Sequence, residues 1–92
     1  MNFRYRLPDR LSAQASLLSE FANGGTQCHA RLRSGQVYGG LLLSVGTYII
    51  AMRGHRDLPF TVDDIDMLFQ ADDDESPTQR GGWEFWDDWD TM

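Results

Sequence analysis

The chain has 92 residues, a net charge of −6 and a single cysteine. A chain this short forms one domain with a thin core, for which self-association is a natural extra source of stability. The sequence excludes a membrane-spanning helix, since no apolar run approaches the ~20 residues a bilayer needs, and it excludes an internal disulfide, since Cys28 has no partner.

Arg4 and Arg6 are not followed by the apolar stretch of a signal peptide. A reducing, cytoplasmic location is therefore expected, with Cys28 as a buried thiol. The charge is unevenly placed. Residues 71–92 hold eight acids against Arg80, a net of −7, whereas residues 1–70 hold seven Arg and six acids, a net of +1. A near-neutral, Lys-free domain thus precedes a strongly acidic tail.

In chain order, Phe3, Tyr5 and Leu7 alternate with Asn2, Arg4 and Arg6. This predicts a short N-terminal strand or arm over residues 1–8, ended by Pro8. Asp9 is placed to cap a helix over residues 10–22, whose apolar face carries Leu11, Ala15, Leu18 and Ala22, with Asn23-Gly24-Gly25 as its stop. Residues 26–33 alternate again, with Cys28, Ala30 and Leu32 on one side and His29, Arg31 and Arg33 on the other. Ser34-Gly35 is a hairpin turn leading to a long strand over residues 36–45. Further strands are predicted at 48–53, 58–62 (with Pro59 at an irregular entry) and 65–70. Five short strands joined by brief turns make a small, strongly bent antiparallel barrel, so the fold class is mainly β with one N-terminal helix.

The run Leu32, Gly35, Tyr38, Gly40, Leu42, Val45, Tyr48 and Ile49 resembles the first motif of the Sm-like (Sm/Lsm) family, small ring-forming barrels of SH3 type. The resemblance covers residues 9–70, and within the family the chain looks most similar to divergent phage-encoded members, which would place it in a host cytoplasm. It implies a cyclic homo-oligomer of roughly five to seven subunits and binding of RNA or single-stranded DNA. Gly40 would let the second barrel strand bend. The resemblance also implies that the turn at Gly46 and Thr47 and the turn at Asp63 and Asp64 line a pore. There the family's aromatic stacking position survives as Tyr48. Its base-reading Asn is Ile50, and the Arg-Gly of its second motif is replaced by acids, so uridine recognition should be weakened.

The remaining constellations are less specific. Arg31, Arg33, Arg53 and Arg56, with His29 and His55, are candidate phosphate contacts on an outward surface, or else surface charges balanced by the tail. Cys28 and His29 point to opposite faces, which leaves no arrangement for nucleophilic catalysis. His29, His55, Asp63, Asp64 and Asp66 match no metal-ligand spacing. An enzyme, a metal and a cofactor are not expected. The tail carries Trp83, Phe85, Trp86 and Trp89, spaced so that the three Trp lie near one face of a short helix. Aromatics at this density are costly in water, so they should dock on the protein itself or on a protein partner. The alternative function is therefore an assembly scaffold that has lost the RNA site and uses the tail for contacts.

Overall fold

A computed structural model describes residues 4–22, 24–75, 77, 83 and 86. The elements run β1 (Tyr5–Arg6), α1 (Asp9–Ala15), β2 (Gly25–Leu32), β3 (Val37–Ser44), β4 (Tyr48–Met52), a 3-10 turn (Val62–Asp64), β5 (Ile65–Phe69) and α2 (Asp72–Glu75). The strands form one antiparallel sheet in the order β1-β4-β3-β2-β5. It is strongly curled into a half-barrel around Leu11, Leu41, Leu43, Ile49 and Ile65.

The curl comes from bulges. Between Cys28↔Leu41 and Ala30↔Tyr38, β3 carries one more residue than β2, and the extra residue falls at Gly39-Gly40. Gly40 has φ +74°, and a Cβ there would approach Arg53 Cβ to 3.0 Å. Only glycine takes this conformation without strain. Gly39 has its own role: a Cβ on it would lie 2.8 Å from His29 Nε2. Further register shifts fall opposite Leu42/Leu43 in β4 and opposite Arg31/Leu32 in β5.

Three expectations need correction. The predicted helix over residues 10–22 ends at Ala15. Pro8 rather than Asp9 occupies its N-cap position. Ser16 Oγ donates back to Ala13 O at 2.7 Å, a local bond that competes with helix continuation, and Leu17 is left 87 % exposed. The predicted strand over residues 58–62 does not form. Thr61 and Asp64 cap a 3-10 turn instead, and the outer edge of β4 is taken by β1, with Tyr5 opposite Ile49 and Arg6 opposite Tyr48. The residues after Ala71 include α2, a short helix that periodicity did not indicate.

Part of the outward backbone of β5 and of β4 is met by other parts of the chain. On β5, Arg10 Nη2 donates to Ile65 O at 2.6 Å, and Gln14 Oε1 accepts from Leu68 N at 2.9 Å, so α1 satisfies backbone groups a neighbouring strand would use. On β4, Trp86 N–H donates to Ile50 O at 3.2 Å. The Trp86 side chain is 6 % exposed and belongs to the main core. Its ring meets Tyr5 edge-on at 5.5 Å, and its Nε1–H donates to His55 O at 3.1 Å. Tyr5 in turn donates its hydroxyl to Asp57, which pushes the phenol up from its ordinary range and holds the Asp57 carboxyl down. Among the described residues no helix is long and apolar enough to cross a membrane.

Two stability measurements check these packing arguments. Trp86→Ala should destabilise the protein by about 3–5 kcal/mol in urea unfolding, the loss typical of a buried Trp. Val45 is 64 % exposed yet has φ +49°, at the first central position of a turn closed by Thr47 N–H donating to Ser44 O at 3.0 Å. With Gly46 also at φ +66°, this is a type I′ turn, which favours Asn-Gly. Val45→Asn should therefore stabilise by about 1 kcal/mol.

Candidate nucleic-acid interface

The alternation of β2 sends Gln27, His29 and Arg31 away from the core that holds Cys28, Ala30 and Leu32. This outer face is not bare. α2 packs on β2 and places Asp74, 1 % exposed, against it. Asp74 Oδ1 accepts from Gln27 Nε2 at 2.8 Å, and Oδ2 lies 2.6 Å from His29 Nδ1 and accepts from Ala71 N–H at 2.9 Å. The His29 ring stacks on Phe69, with centroids 5.3 Å apart, and occupies the space left by Gly39. A His–Asp pair is the kind of arrangement a general base uses, but Cys28 lies in the core beneath it. Burial, and then the Asp74 charge, push the Cys28 thiol far above its ordinary range. Among the described residues no cluster of three metal-ligating side chains forms.

The candidate Arg residues engage different partners. Arg31 Nη2 pairs with Asp66 Oδ2 at 2.7 Å, which holds the Asp66 carboxyl below its ordinary range. Arg33 Nε donates to Asp63 O at 2.9 Å, and its backbone N–H donates to Asp64 O at 2.8 Å. Arg31 and Arg33 are thus held by β5 and the 3-10 turn. Arg56 is exposed in the turn after β4. Arg53 belongs to another group: its guanidinium carbon lies 3.7 Å from the centroid of the Trp83 ring.

The two turns expected at a pore are both tied to α1. Gly46 O accepts from Ser12 Oγ at 3.0 Å, while Arg10 holds Ile65 O next to the 3-10 turn. Thr47 O accepts from Leu7 N–H at 2.7 Å. Asp63 and Asp64 are exposed. A cleft of about 320 Å³ opens beside Gly46, lined by Ala15, Ser16, Leu18, Glu20, Thr26 and Val45, and it gathers no set of convergent charged groups.

An aromatic face that the sequence reading missed lies across β3 and β4. Leu42, Ile50 and Ala51 are buried on the outer side of the sheet, with Phe21, Tyr48 and Trp83 packed on them. Ile50, expected at the base-reading position, is instead part of this apolar floor. The Trp83 indole stacks with Phe21 at 5.8 Å and 24°, and its Nε1–H donates to Gly40 O at 3.1 Å. Trp83 and Trp86 therefore do not share one face. The first lies on the outer side of the sheet and the second enters the core. Phe85 and Trp89 lie outside the described residues. The signal that could have revealed this face is the unbroken apolar run at Leu41-Leu42-Leu43 and Ile49-Ile50-Ala51, since a strand apolar on both sides needs a cover on both.

Removing the Asp74 carboxylate should release α2. Asp74→Ala leaves Gln27 Nε2 and the Ala71 N–H without their acceptor and should cost about 1–3 kcal/mol, seen as a lowered urea midpoint and faster amide exchange at Ala71. Cys28 should resist iodoacetamide at pH 8 in the folded protein and react within minutes once urea unfolds it.

No family model, curated protein or solved structure matches this chain.

Proposed function

We propose that this chain is an Sm-like, non-enzymatic module that binds single-stranded RNA or DNA with altered base recognition and assembles with copies of itself. One observation carries the binding reading: Tyr48, Phe21 and Arg53 gather around a single outer face that already holds a planar aromatic ring. Stacking platforms with an accompanying Arg are the usual chemistry of single-strand recognition. The binding is not of the family's uridine type, because Ile50 is part of a buried floor and Asp63 and Asp64 offer no cation.

Assembly into a ring of roughly five to seven subunits is the family's use of open strand edges. Here a neighbour's strand on β5 must displace the Arg10 and Gln14 side chains, which is a smaller rearrangement than displacing a paired strand. The cytoplasmic location follows from the same reading.

A protein-assembly scaffold draws on a different observation. Arg31 and Arg33 are held by Asp66 and by the 3-10 turn, which lowers the positive potential open to phosphate.

Fluorescence anisotropy with labelled 15-mer oligonucleotides at low and physiological salt separates the two. Salt-dependent binding at low micromolar concentration or tighter is expected, with oligo-uridine no better than other sequences. Absence of binding at low salt would leave the scaffold. Light scattering on the eluting full-length chain gives the subunit count, and a monomer at micromolar concentration would remove the ring while leaving the binding reading intact.

A further inference from the structure

We propose that the outer face around Gly40 is a purine-binding site and that Trp83 is its built-in occupant, so that the tail regulates access. The inference rests on the nucleic-acid reading above and adds the position of the site, the preferred ring and its control.

What Trp83 meets is a set of contacts suited to a base. Its two-ring plane stacks with Phe21 at 5.8 Å and 24°. A guanidinium lies 3.7 Å from its centre. Its single N–H edge donates to a backbone carbonyl, Gly40 O, at 3.1 Å. The floor is apolar and buried, made by Leu42, Ile50 and Ala51. Aromatic faces, Arg planes and backbone acceptors are the elements by which proteins hold unstacked bases. Every base carries an N–H donor for the carbonyl, so the discrimination lies in size. A face that accommodates an indole matches a bicyclic purine better than a single pyrimidine ring.

The carbonyl is fixed in place. Gly40 O also accepts from Arg53 N–H at 3.0 Å, at the bulge residue with φ +74°. One bend therefore positions both the acceptor and the Arg53 side chain.

Trp83 and Trp86 divide the work of the tail. Trp86 is buried, with its backbone and indole N–H groups both bonded to carbonyls, and it anchors the segment. Trp83 is only half-buried, and among the described residues its bond is the one from its indole N–H to Gly40 O. Trp83 can leave while Trp86 stays. A site occupied in cis binds an external ligand with an affinity reduced by the fraction of time it is open, so removing the occupant strengthens binding without adding a contact.

The test uses the full chain and its Trp83→Phe and Trp83→Ala variants, titrated against labelled oligoadenylate and oligo-uridine 15-mers and against labelled heparin as a base-free polyanion. Trp83→Ala should bind oligoadenylate on the order of ten-fold more tightly than the parent, with a smaller gain for oligo-uridine and none for heparin. Adding Arg53→Ala should abolish the gain. Trp83→Phe keeps an apolar cover but lacks the N–H, so it should show an intermediate gain and carries the test if the Ala variant does not fold. Equal oligonucleotide affinity in parent and variants would overturn the occupant and leave the nucleic-acid reading standing. An equal gain for heparin would overturn the base site in favour of simple charge exposure. Absence of binding by every variant would overturn both.

Discussion

The bend of β3 at Gly39-Gly40 is the constraint from which the rest of the structure follows. The extra residue there curls the sheet into a half-barrel. The missing Cβ of Gly39 admits the His29 ring, which receives Asp74 and so seats α2. The carbonyl of Gly40 accepts both the Arg53 backbone and the Trp83 indole. A larger residue at either position would have to move a side chain or adopt a strained backbone. Two adjacent glycines thus connect the curvature of the barrel to two of the places where the tail returns to it, at Asp74 and at Trp83.

The tail is accordingly part of the fold. A domain of this size buries too little surface to leave a large aromatic out of its core, and Trp86 supplies one from beyond the last strand. The same segment closes part of the β4 edge, while α1 covers part of β5. These covers are made of side chains and single backbone bonds rather than complete strands, so the edges are protected without being permanently closed.

Much of the barrel was legible from local pattern. The alternation at residues 26–33, the Ser34-Gly35 turn and the glycine bend each have a short-range physical cause, and each is found where the pattern puts it. Two elements were misread because a local bond competed with periodicity. Ser16 folds back on Ala13 and ends α1 early. Thr61 and Asp64 cap each other and turn the chain where an apolar run suggested a strand. The tail was misread for a different reason. A spacing of three between Trp residues fits a helix face, but where each ring goes depends on cavities that long-range folding creates, one between β1 and the turn after β4 and one over Gly40. The candidate Arg set was visible as composition, while the pairing of Arg31 with Asp66 depended on the register of β2 with β5 and the place of Arg53 on the return of Trp83.

The central claim is that Trp83 and Trp86 close the two faces of the β3–β4 hairpin from the same tail. Hydrogen exchange of the indole N–H groups, followed by NMR on the intact chain, tests it most directly. The account predicts protection of both, strongest for Trp86, with nuclear Overhauser contacts from Trp83 to Arg53 and Phe21 and from Trp86 to Tyr5. Exchange of both indoles at the rate of free tryptophan, with no such contacts, would contradict it.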